Sequence, residues 1–177
     1  MYVNAKKLAF LGLLLAGTTL LVIFSGIWEF NTLFLLAGAS FAVGVAIREC
    51  RLRIGFGFYI ASVLLSLILA PNKIYCITYS AMGLYLVVIE YFFLKLSNVN
   101  WKKNRIILFW VIKYVTFNLM YIPILLFLPK LIYQGQINTV IFAILIVGGQ
   151  IVLFIYDTAH DYFQKNIWEK VRRTLHL

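Results

Sequence analysis

Long uncharged runs, separated by short basic loops, constrain this chain more than any other feature. Leu8 to Trp28 is 21 residues without a charge, and a helix needs about 20 apolar residues to cross a hydrocarbon core. Comparable runs recur at roughly 30–47, 54–70, 74–94, 106–128 and 137–156. A chain that is 63% hydrophobic and only 12% charged cannot cover a soluble surface with polar side chains. The sequence therefore predicts an all-α polytopic membrane protein with six transmembrane helices. Residues 1–156 form the membrane domain and 157–177 a cytoplasmic tail. The first run resembles a secretory signal, but it exceeds the usual apolar length of about 7–15 residues. The chain also stays apolar after it, so it reads as a retained first span.

A net charge of +10 would point to nucleic acid in a soluble protein. Here the bases sit at the ends of apolar runs, where they set orientation instead, and nucleic acid is excluded as a partner. Lys6 and Lys7 precede the first run, and Arg48, Arg51 and Arg53 form the second loop. Lys95, Lys102, Lys103 and Arg105 fall in the fourth loop, and Lys165, Lys170, Arg172 and Arg173 in the tail. The opposite side has Lys73 and Lys130, and Lys113 lies inside a span, so both termini are expected in the cytoplasm. Cys50 and Cys76 then lie on opposite sides and form no disulfide. In the tail Phe163, Ile167, Val171 and Leu175 recur every four residues among bases. This is an amphipathic helix that either extends the last span, lies on the lipid surface or docks a partner.

No catalytic motif stands out. The chain has no HExxH, GxSxG or GxxxxGKS/T pattern, so the reading is a protein that is not an enzyme, and an ATP-driven step would need another subunit. Both histidines are in the tail. Asp157, His160 and Asp161 make a metal-like cluster too sparse to assign a metal, and it reads as a solvated helix start in preference to a metal site. No cofactor is implied.

Two constellations remain. Glu90 and Lys113 fall at similar depths in the fourth and fifth spans, so they are expected to pair, either locking those helices or carrying protons or ions. Gln150 in the sixth span is placed to join them. On the outer side, Asn72, Tyr75 and Tyr79 open the fourth span, Asn118 and Tyr121 occupy the fifth, and Gln134 precedes the sixth. Tyrosine faces and amide groups suit a small-molecule pocket, and they equally suit an aromatic belt at the membrane interface. Pro123 predicts a kink in the fifth span.

Ala9, Gly12 and Ala16 lie at helical spacing on the first span, where small residues admit another helix, either within the molecule or from a partner. Together with six spans, both ends inside and this size, that pattern resembles the substrate-binding S components of energy-coupling factor vitamin transporters. The resemblance implies a bacterial cytoplasmic membrane protein that captures a small nutrient near its outer side. It also implies that the small face of the first helix, Ala5 and Ala9 or Gly12 and Ala16, docks on a transmembrane coupling subunit served by ATPase subunits. The alternative is a noncatalytic scaffold that recruits cytoplasmic partners through its basic loops and tail.

Overall fold

A computed structural model of the chain describes residues 5–28, 31–97, 102–127 and 138–175. Every extended element among them is helical: α1 (Ala5–Ser25), α2 (Thr32–Leu69), α3 (Lys73–Ser97), α4 (Lys102–Phe127) and α5 (Thr139–Tyr162). A π-helical turn, Phe163–Trp168, and a last short helix, α6 (Glu169–Leu175), follow α5. Five helices are long and apolar enough to cross a membrane, the last of them counted from α5 into α6. This fits a membrane protein in contact with the bilayer, because hydrocarbon offers no partner for backbone N–H and C=O groups and only self-bonded helices or closed barrels satisfy them.

The 38 residues of α2 are not one rod. Arg51, with φ 72° and ψ 161°, interrupts the helical backbone. A Cβ added to Gly55 would fall 2.6 Å from the Ile47 Cα. Residues eight apart in a straight helix stand about 12 Å apart, so the chain reverses at Arg51. The two arms of α2, 32–50 and 52–69, pack against each other, and Gly55 is required because Ile47 backbone occupies the place of its side chain.

At the other end, Ala70 is extended and Pro71 ends the second arm. Asn72 Oδ1 accepts the Ile74 N–H at 3.0 Å, which caps the start of α3. Lys73 Nζ donates to the carbonyls of Leu67 and, at 2.9 Å, Ala70, satisfying the last turn of α2. We call the two ends of the molecule the Arg51 end and the Pro71 end.

Two apolar cores result. One joins α1, both arms of α2 and α3 around Val22, Leu36, Val43, Ile47 and Tyr79. The other, around Phe41, Tyr85, Leu86, Ile89 and Leu153, connects that unit to α4 and α5, with Phe109, Phe117, Tyr156 and Phe163 packed on it. Burial is uneven. Only 6% of the most apolar stretch of α4 and of α5 is buried, against 28–39% in the first three helices, so most of α4 and α5 is left for lipid. Pro123 lies inside α4, which continues past it to Phe127.

Asp157 lies within α5, and the described chain continues helical to Leu175. From Ile151 onward the chain contains no glycine or proline, and the helix runs through Asp157 into the π-helical turn without a break.

Arg51 occupies a backbone region that is essentially reserved for glycine, at a cost of order 1–3 kcal/mol. Arg51→Gly is therefore expected to raise the unfolding free energy by about 1 kcal/mol once glycine's greater unfolded-state entropy is offset. Thermal unfolding in detergent measures this; a lower melting temperature would show that the turn does not strain the arginine.

Candidate functional site: a buried ionic layer at the Arg51 end

The ion pairs among the described residues gather at the Arg51 end. Arg48, one turn before the reversal, meets Glu90 of α3. Arg48 Nε stands 2.9 Å from both Glu90 oxygens and a terminal guanidinium nitrogen 2.6 Å from Oε1. Forked Arg–carboxylate geometry of this kind is the strongest of the ordinary ion pairs. Glu90 is 1% exposed, whereas the Arg48 side chain retains 28% and rests against the Phe93 ring. One charge of the pair thus reaches toward the surface while the other is enclosed.

Lys113 of α4 makes the second pair. Its Nζ lies 2.5 Å from Asp157 Oδ2 and 3.8 Å from Asp161 Oδ2, beneath the faces of Phe109 and Trp110. The aromatic faces add attraction for the ammonium in a place without water. His160 sits between the two pairs. Its Nε2 is 3.9 Å from Glu90 Oε1 and 3.4 Å from Gln164 Nε2, and its ring packs on Phe41. Gly44 makes room for it, since a Cβ there would lie 2.7 Å from His160 Nε2.

Below these pairs, Glu49 accepts from Trp168 Nε1 at 3.1 Å and pairs with Arg172 at 3.1 Å, while its backbone carbonyl accepts from Lys7 at 2.9 Å. α1, the turn of α2, α3, α4 and the α5–α6 segment therefore meet in one polar layer. Apart from His160, its center sets two cations, Arg48 and Lys113, against two enclosed carboxylates, Glu90 and Asp157, with Asp161, 43% exposed, at the rim. Asp157 Oδ1, Gln164 Oε1 and the Tyr85 hydroxyl are buried without a partner among the described residues. The Asp157 and Gln164 oxygens are acceptors that one further hydrogen-bond donor would satisfy.

The structure corrects the expected Glu90–Lys113 pair. Both are buried in the same layer, but Glu90 takes Arg48 and Lys113 takes Asp157. The physical reason is that Arg48 and Asp157 each oppose their partner directly at ion-pair distance. Gln150 does not join them. It exchanges amide bonds with Asn118, at 2.7 and 3.3 Å, deeper in the α4–α5 contact. Asp157, His160 and Asp161 do not converge as three ligands, because the aspartates turn to Lys113 and His160 to Glu90.

The residues assigned to an outer pocket lie at several places. Asn72 caps α3, and Tyr75 is half-buried against the first core. Tyr79 is fully buried, with its hydroxyl 2.6 Å from Ser62 Oγ. Tyr121 donates to the Leu145 carbonyl at 2.9 Å, tying α4 to α5. Gln134 lies outside the described residues. Ala9, Gly12 and Ala16 of α1 are all exposed, and no atom would meet a Cβ on Gly12 within 4 Å.

The sequence reading missed Arg48, Glu49, Asp157, His160 and Gln164 as members of one site. A signal was present: Asp157, His160, Asp161, Gln164 and Trp168 recur at spacings of three and four, forming a polar stripe on an otherwise apolar helix. The π-helical turn that carries Gln164 and Trp168 is a backbone form that concentrates at functional sites. Comparison of the chain with family models, with curated proteins and with solved structures finds no match.

Removing one member of a buried ion pair costs about 3–5 kcal/mol, because it strands the other charge. Lys113→Met should therefore destabilise the protein on that scale, and Lys113→Met combined with Asp157→Leu should recover most of the loss. Thermal unfolding of the two variants in detergent decides it; a double variant as unstable as the single one would mean the pair is not the source.

Proposed function

We propose that the protein is a six-span membrane protein with both ends in the cytoplasm, acting as the membrane-embedded capture subunit of an uptake transporter for a small nutrient. The six-span count is supported by the reversal at Arg51: arms of 18–19 residues are each about 27–28 Å long, close to the ~30 Å of a hydrocarbon core. Arg48, Arg51 and Lys7 lie together at the end that this reading places inside, and Lys73 at the other.

The observation that carries the transporter reading is the face of α1. Small residues usually serve close approach between helices, yet Ala9, Gly12 and Ala16 point away from the rest of this chain. The resemblance to energy-coupling factor S components assigns this face to a separate transmembrane coupling subunit, with ATPase subunits behind it. Residues that would form the capture site are the outer ones near the Pro71 end, where Tyr75 and Asn72 are partly open. The ionic layer at the opposite end holds α4 and α5 on the first three helices while the ligand side changes.

A second reading has its own support. Trp168 and Arg172 fasten the tail to Glu49 while Lys165, Lys170 and Arg173 remain exposed, an arrangement suited to recruiting acidic cytoplasmic partners. That reading makes the protein a noncatalytic scaffold.

Gly12→Leu combined with Ala9→Leu leaves the core of the chain untouched, so it should keep normal expression and melting temperature while abolishing co-purification of partner membrane subunits and nutrient uptake in cells. Undiminished uptake in this variant, or a purified protein whose melting temperature no vitamin raises, would count against the transporter. Loss of function on changing Lys165, Lys170 and Arg173 to glutamine would favor the scaffold.

A further inference from the structure

We propose that the Arg51 end carries a binding site for one anionic phospholipid, formed between the second arm of α2 and α3. A groove of about 470 Å³ opens there, lined by Leu52, Arg53 and Phe56 on one side and Val88, Tyr91 and Phe92 on the other. That volume lies in the range of small-molecule pockets, about 300–1,000 Å³. The inference rests on the reading that this end faces the cytoplasmic leaflet, and it is independent of whether the protein transports anything.

The lining has a direction. On α2, Arg53 lines the groove one turn before Phe56 and is exposed. On α3, Val88, Tyr91 or Phe92, and Lys95 follow at helical spacing from the floor outward, and Lys95 Nζ lies 5.9 Å from the center of the Tyr91 ring. Phe56 and Tyr91 expose their rings, at 44% and 41%. An apolar floor with bases at its mouth matches an acyl chain below a phosphate. A soluble anion would gain nothing from the floor.

Charge decides between lipid classes. No carboxylate lines the groove, and two acids of the Arg51 end are already engaged, Glu90 by Arg48 and Glu49 by Trp168 and Arg172. Arg51, Arg53 and Lys95 are exposed and form no ion pair among the described residues. Three cations without an opposing acid attract a net-negative headgroup and repel the ammonium of a zwitterionic one. Arg51 adds a second observation. It keeps an arginine where the backbone favors glycine, and such outliers cluster at ligand clamps and active sites.

The experiment uses purified protein and native mass spectrometry, with phosphatidylglycerol and phosphatidylcholine supplied in equal amounts. One phosphatidylglycerol per chain should be retained in preference, and the preference should fall with salt. Arg53→Gln and Arg51→Gly should each weaken it by about fivefold, the contribution of one base at a membrane surface. Arg51→Gly is expected to fold at least as well as the parent, so a loss there is not a folding defect. Val88→Trp, which fills the floor, should reduce retention of the lipid. Equal retention of both lipids, or arginine variants that hold phosphatidylglycerol as the parent does, overturns the site. Displacement of the lipid by millimolar glycerol 3-phosphate also overturns it, showing that the bases bind a free phosphate. Because no partner or nutrient enters the measurement, its failure leaves the transporter reading standing, and failure of transport leaves this site standing.

Discussion

A charge inside hydrocarbon must find an opposite charge or be expelled, and the arrangement of this molecule at its Arg51 end follows from that requirement. Four of its six carboxylates, Glu49, Glu90, Asp157 and Asp161, enter one layer and meet Arg172, Arg48 and Lys113 there. The pairs do not merely neutralise. Each joins residues at least 42 positions apart: Arg48 and Glu90 join α2 to α3, Lys113 and Asp157 join α4 to α5, and Glu49 joins the turn of α2 to the tail. His160, held beside Glu90 against the space left by Gly44, bridges the two halves.

The two halves depend on this layer unequally. Between helices in lipid there is no hydrophobic driving force, so association rests on close packing and on polar contacts. The first three helices have close packing, with Gly55 against Ile47 and a shared core around Val43 and Tyr79. By contrast α4 and α5 bury little. They are held by aromatic contacts on Phe41 and Tyr85, by the Asn118–Gln150 amide exchange, by Tyr121 on the Leu145 carbonyl, and by Lys113. These contacts are few and directional. A shift of α4 and α5 against the first unit would have to exchange whole bonds, which favors discrete arrangements over gradual sliding.

Much of this was legible in the sequence, and the rest was hidden for a physical reason. Run length and the position of bases gave the helices and the reversal near Arg48 to Arg53, because both follow from bilayer thickness and charge. That Glu90 and Lys113 lie buried at matching depth was also readable. Their partners were not. Arg48 looks like a loop base because it adjoins Arg51 and Arg53, and Asp157 looks like the end of a span because a charge appears there. Which residues a helix turns inward depends on its rotation against its neighbors, and linear spacing does not fix that rotation. The outer tyrosines mislead for the opposite reason. Tyr79 and Tyr121 have the composition of a pocket, but a tyrosine hydroxyl serves as well to bond a serine or a carbonyl of the next helix.

The distribution of carboxylates explains why the same end can be both a lock and a surface. With each acid of the layer paired to Arg48, Lys113 or Arg172, the exposed bases Arg51, Arg53 and Lys95 form no ion pair among the described residues that would compete with an external anion. Moving Glu90 one helical turn toward Lys95 would undo both roles, since it would strand Arg48 inside and neutralise Lys95 outside. The lock and the exposed charge are therefore one arrangement: the carboxylates that secure the helices are the ones withheld from Arg51, Arg53 and Lys95, and the surface stays basic because the interior is paired.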